Sequence, residues 1–264
     1  MMTVSVMFAP LPAEALVRID GTGGLVRLVL AVLALGVGAA ALRRAAHLGN
    51  GRDELVALAR AGLQLGTVGL IIAVVLQHWG LTWAFVAVML GVATITAGRR
   101  MSAERPALTF PAVAAAPVPI TLGLMAIGLL PAAPIAVIPT AGILIGNAMT
   151  ATALAGRRGL DSLTERRGEY EAALALGLPP RDATLLVVRD AARIALIPGL
   201  DQTRTAGLVT LPGAFVGTLL GGATPLEAAA LQLIVSAGIM ATQSVSVVLT
   251  VEGVARGQLR RTTA

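Results

Sequence analysis

Asp201 and Arg204 stand one helical turn apart inside a stretch that is otherwise largely apolar, residues 194–221. A carboxylate in such a stretch has two uses. It neutralises itself against the arginine three residues on, or it meets a cationic cargo at the mouth of a pathway. Gln202 lies beside it. Asn147 and Met149 sit in a second apolar stretch. Asparagine there needs a hydrogen bond, supplied by a neighbouring helix or by whatever passes along a pathway. The Met149 thioether fills packing gaps or offers a ligand to softer metals. Pro212-Gly213 frees backbone carbonyls and predicts a kink beside a pathway. Gln64, Thr67, Gln232, Gln243 and Ser244 are further polar residues in apolar surroundings, with nothing to rank them. Glu227, in the first turn of the last apolar run, suits a helix N-terminus.

Other chemistries lose their reagents. There is no cysteine, hence no disulfide, thiolate metal site or cysteine nucleophile. His47 and His78 are too far apart in sequence and setting to make a metal cluster, no HExxH occurs, and a metal site stays unassigned. Every basic residue apart from these histidines is arginine. A phosphate-binding P-loop of the Walker A kind needs a lysine, so no cofactor is expected on this chain. If ATP drives it, the nucleotide sits on a partner.

The elements that must hold these residues are membrane spans. Of the 264 residues, 56% are hydrophobic and 13% charged, with a mean hydropathy of +0.84. A lipid bilayer accepts that composition; a soluble domain of this size could not bury it. The net charge of +6 is set against 3% aromatic residues, and the arginines fall between apolar runs, which argues against a nucleic-acid partner. Seven runs are long enough to span: 24–42, 62–78, 81–98, 107–130, 134–155, 194–221 and 226–251. All 20 arginines except Arg18, Arg27 and Arg204 lie in alternate loops or the tail. The intervening loops hold none. The positive-inside rule then predicts an all-α polytopic membrane protein of about seven transmembrane helices, N-terminus outside and C-terminus cytoplasmic. Arg43 and Arg44 follow the first run, as in an anchor rather than a cleaved signal. The expected organisation is an external segment over 1–23, one membrane domain over 24–251 and a basic cytoplasmic tail over 252–264. Small residues four apart, as in Gly142/Gly146 and Gly213/Gly217/Gly221, suit close helix packing.

The loop over 156–193 is the most polar part of the chain. Leu160, Leu163, Tyr170 and Leu174 recur at helical spacing, and Gly177-Leu178-Pro179-Pro180 ends that helix. A second helix starts near Arg181 and feeds the sixth run. Such a surface helix either lies on lipid headgroups or sits in a groove of a soluble partner.

Here the residues carry a resemblance. Glu171-Ala172-Ala173-Leu174-Ala175-Leu176-Gly177 resembles the EAA-x-x-x-G loop of ABC transporter permeases, the helix that docks on the ATPase. Further matching runs are Gly142–Met149, Glu171–Asp182, Leu196–Pro198 with Asp201, Gly207–Gly213 and Gly221–Ala228. Together they resemble the permease family that includes the bacterial Fet-type iron-export permease and plant membrane subunits linked to aluminium tolerance. The strong part covers about residues 135–250. The resemblance implies a separate ABC ATPase partner carrying ATP, a homodimer of permeases in the cell membrane, and export of iron or another metal cation. With that docking helix, ATPase coupling is expected of Glu169, Glu171, Ala172, Gly177 and Arg181, and the intramembrane polar groups and Pro-Gly break put the expected pathway on Asn147, Met149, Asp201, Gln202, Pro212 and Gly213. Family members commonly carry methionine after the Pro-Gly, where this chain has Ala214-Phe215. That departure bears on cargo. An ion-coupled secondary transporter without an ATPase is the alternative; it needs an ionisable group at mid-membrane, and apart from Glu227 at the very start of the last run Asp201 is the only carboxylate within a span. An intramembrane hydrolase would need a base or ligand set that neither histidine is placed to supply.

Overall fold

The structure, a computed structural model, describes residues 21–261. They fall into two compact units, 21–77 and 78–261. The expected external segment over 1–23 lies outside the described residues except for its last three, which open the first helix.

The first unit is a helical hairpin. Helix α1 (Gly21–Ala45) and helix α2 (Arg52–Val75) are joined by a short turn. Gly51 has φ +71° and faces the carbonyl of Ala40, a close approach that leaves no room for a side chain. Arg43 pairs with Glu54 across the turn. The expected first loop is therefore shorter than hydropathy suggested. Arginine and glutamate are good helix formers, so α2 starts well before its sequence becomes apolar enough for lipid.

The second unit is built around one long helix. Helix α3 (Trp79–Arg100) leads through a 3-10 turn at Pro106–Thr109 to α4 (Phe110–Ala114) and α5 (Pro117–Ala126). Helix α6 (Pro134–Glu165) follows, then α7 (Arg167–Ala175) and α8 (Pro180–Ala192). A second 3-10 turn, Arg193–Leu196, enters α9 (Ile197–Thr205); α10 (Gly213–Leu220) and α11 (Pro225–Ala255) complete the unit. Proline at the start of α6 and α11 costs no hydrogen bond there. Thr224 and Glu227 form a capping box on α11, the role expected of Glu227.

Helix α6 is packed on several sides. Against α3 it buries Ala141, Ile145 and Ala148 beside Val86, Leu90 and Ala97. Against α11 it buries Leu144 beside Val235 and Ile239. Further along, Ala151 and Ala155 join Val247 and Val254 in one cluster, so α6 and α11 run parallel. On the α6 side the buried residues are mostly Ala, Gly, Thr and Ser, which lets the neighbouring helices approach closely. At the far end Met101 is fully buried and occupies the space a side chain on Gly156 would need.

Among the described residues, six helices are long and apolar enough to cross a membrane, counting residues 106–126 as one. The protein is a multi-pass, all-helical membrane protein, in keeping with the sequence expectation of about seven spans. The difference lies in the sixth run. Residues 194–221 do not form one helix but the pair α9 and α10, separated by irregular backbone over 206–212. The break closes on itself: the Gly207 N–H donates to the Thr210 carbonyl at 2.8 Å, and the Val209 N–H to Thr205 at 3.0 Å. Gly207, at φ +88°, supplies the left-handed turn. Pro212 is thus the N-cap residue of α10 rather than a kink inside a continuous helix.

Candidate functional site

A cavity of about 880 Å³ opens between α6, the α9–α10 break and α11. Its walls are mainly apolar. Asn147 of α6, Gln202 of α9, Pro212 and Gly213 at the break, and Gln232 of α11 line it. Of the six pathway residues expected from sequence, Asn147, Gln202, Pro212 and Gly213 come together here. Met149 packs against the cluster of Val86 and Leu90 instead. Asp201 does not line the cavity; its side chain is 60% exposed and lies 3.6 Å from Arg204.

Asn147 is held in place. Its Nδ2 donates to the Ile143 carbonyl at 2.9 Å, and its Oδ1 accepts from Gln243 Nε2 at 3.0 Å. This is the interhelical bond that an asparagine in a span requires. Gln243 is 4% exposed. A Cβ on Gly199 would overlap its carboxamide, so the first turn of α9 rests directly on Gln243. Gln232 Nε2 donates to Ser236 Oγ at 3.1 Å, while its Oε1 is buried without a partner. Pro139 of α6 also lines the cavity and has no N–H to offer the Ile135 carbonyl one turn earlier.

Gln232 and Gln243 stood in the sequence as intramembrane polar residues without rank, and Gly199 was missed. A signal existed: Gln232, Val235, Ile239 and Gln243 recur at three and four residues along one face of α11. Nothing in the sequence shows that Gly199 faces that stripe.

The arginine-rich end carries the second feature. Helix α6 continues past Ala155 to Glu165, and α7 turns off it at Arg166. Arg166 Nε donates to Glu169 Oε1 at 2.8 Å and holds its carboxyl below the usual carboxylate range. Arg167 Nε donates to Glu171 Oε1 at 2.7 Å. Helix α7 ends in a Schellman motif. The Gly177 N–H donates to Leu174 at 2.9 Å and the Leu178 N–H to Ala173 at 3.1 Å, with Gly177 at φ +87°. Ala173 is the only buried residue of α7. Leu176, in the cap, is 83% exposed.

Behind it, α8 is tied to the spans. Ser162 Oγ of α6 donates to the Val187 carbonyl at 3.1 Å. Val188 fills the space over Gly159. Arg181 Nε and its terminal NH2 reach both carboxylate oxygens of Glu252 on α11 at 2.9 and 2.8 Å. That pair raises the Arg181 guanidinium above its ordinary value. Glu252 also accepts from Arg256. Of the expected coupling residues, Glu169, Glu171 and Ala172 lie on α7 and Gly177 caps it. Arg181 is on α8, turned to α11.

The model of an uncharacterised protein family, UPF0014, matches residues 25–258. The membrane protein STAR2 of Oryza sativa subsp. japonica is 38% identical over 83% of this chain and 77% of its own length. The protein ALUMINUM SENSITIVE 3 of Arabidopsis thaliana is 37% identical over 69% of this chain and 68% of its own. The probable iron export permease protein FetB of Escherichia coli (strain K12) is 35% identical over 44% and 45%. No solved structure matches. The family resemblance carried by the Glu171–Gly177 and Gly207–Gly213 runs is thereby borne out: the chain belongs to the UPF0014 family of membrane proteins.

Proposed function

We propose that this chain is the membrane-spanning permease subunit of an ABC transporter, working as a homodimer with a separate ATPase subunit that docks on α7. The observation that carries the reading is α7 itself. It is a short helix beyond the span, closed by a rigid cap, that buries one residue and presents an exposed leucine. A helix with so little covered surface and so fixed an end suits insertion into a partner's groove. The arginine-rich end, with α7, is cytoplasmic on this reading.

Helices α8 and α9 supply the route to the cavity. Closure of the ATPase pair moves α7, and α8 moves with it because one turn joins them. Through Ser162, Glu252 and the 3-10 turn into α9, α8 passes that motion to α6, α11 and the broken segment. The cavity over Asn147, Gln202 and Pro212-Gly213 then opens to one side or the other. The E. coli relative, a probable iron export permease protein, supports iron or another metal cation as the exported element. An ion-coupled mechanism would want an ionisable group in this cavity, and its lining has none among the described residues.

The test is co-purification from native membranes. Tagged protein should bring down an ATP-hydrolysing subunit. Gly177→Arg or Leu176→Glu should abolish that while leaving membrane insertion intact. Undiminished co-purification with both variants would sink the docking role of α7.

A further inference from the structure

The walls of the cavity say more about what crosses it than its position does. The inference rests on the cavity being the transport pathway, as above. None of the described residues lining it can carry a charge. Its polar groups are the Thr140 hydroxyl and the carboxamides of Asn147, Gln202 and Gln232. Nor does any group of three or more His, Asp or Glu residues elsewhere among the described residues converge in a way that could hold a metal ion. The carboxylate nearest in sequence, Asp201, stands beside Arg204 and does not line the cavity.

A naked divalent or trivalent cation is a poor fit to such a lining. Hard cations and iron are held by carboxylates, imidazoles or retained waters. Putting their charge into an apolar cavity without a counter-charge is strongly unfavourable. A cage of backbone carbonyls can replace anionic ligands, but only where several carbonyls converge on one point. Here the walls are mostly helix faces, whose carbonyls are largely spent along the helix axes.

The lining fits a different ligand. Gln232 Oε1 is a buried acceptor without a donor, and such a group is satisfied only when something brings an N–H or O–H to it. Amide groups offer both donors and acceptors to a neutral polar surface. Leu130, Ile135 and Val235 give the apolar area against which an organic framework packs. We propose that the cavity takes an uncharged, hydrogen-bonding cargo, and that a metal ion crosses only inside a neutral organic complex whose hydroxyl or amide groups meet Gln232, Asn147 and Gln202.

The experiment uses the complex of this chain with its co-purified ATPase in inside-out proteoliposomes. ATP-driven accumulation of radioactive iron is measured with the iron supplied as the hydrated ferrous ion or as a neutral ferric trihydroxamate. The potential is clamped at zero or at about 100 mV, positive inside. The neutral complex should accumulate at least tenfold over the hydrated ion, unchanged by potential, and Gln232→Leu should lower that accumulation several-fold. Accumulation of the hydrated ion, slowed by the positive potential, overturns the proposal. So does ATP hydrolysis with no iron accumulated in either form. Failure of any ATPase to co-purify strikes the permease reading instead.

Discussion

Gln243 serves two neighbours at once. Its amide nitrogen supplies Asn147, and its flat carboxamide lies where a side chain on Gly199 would have to go. Two substitutions separate these tasks. Gln243→Leu leaves the Asn147 oxygen short of a donor, at a cost of about 1–3 kcal/mol. Gly199→Val forces α9 away from α11, at about 1–3 kcal/mol of overpacking. Both should lower the melting temperature of the solubilised protein, and only Gly199→Val should also be relieved by Gln243→Ala. A Gly199→Val protein that melts like the wild type would show that α9 does not rest there. At this scale the sequence was partly legible. Asn147 and Met149 are two residues apart, about 200° around a helix. They could not both face one cavity, and Met149 indeed turns to α3. What could not be read was the partner of Asn147, because a hydrogen bond across 96 residues leaves no mark in local spacing.

Between elements, the informative joint is α8. Its bidentate contact with Glu252 is the one ion pair that ties α8 to the last long helix. Arg181→Ala should therefore leave ATPase binding near wild type, because α7 and its cap are untouched. Transport per ATP hydrolysed should fall several-fold, measured as the ratio of the two rates in proteoliposomes. Equal losses in binding and transport would instead place Arg181 in the docking surface. Element boundaries were the least legible part of the fold. Hydropathy marks where a helix fits lipid, not where it stops. It therefore missed the last ten residues of α6 and the first ten of α2, both rich in helix-forming charged residues. The broken sixth run was hidden for a related reason. Its composition suits a span throughout, and the break is made by a glycine turn whose hydrogen bonds close locally. Irregular backbone at membrane depth is stable where protein or water covers it, and this break lies against a cavity.

For the whole molecule, the distribution of arginine predicts an orientation that can be checked without a background. The chain has no cysteine, so any cysteine introduced is the only one. Ala132 and Gly168 are both exposed. On intact cells an impermeant maleimide should label Ala132→Cys and spare Gly168→Cys, which should react only after permeabilisation. The opposite pattern would turn the molecule over, and α7 could then meet no cytosolic ATPase. Helix α6 also joins the two ends. At 32 residues it is about 48 Å long, against a hydrocarbon layer of about 30 Å. Asn147 and Ser162 lie on it about 22 Å apart. A rod of that length is a lever arm: pivoted near Ser162, a swing of about 5° carries Asn147 through roughly 2 Å. That travel is enough to part a hydrogen bond of 3.0 Å, and it carries Leu144 and Ala148 with it, so unlatching Asn147 from Gln243 means repacking the seams beside it.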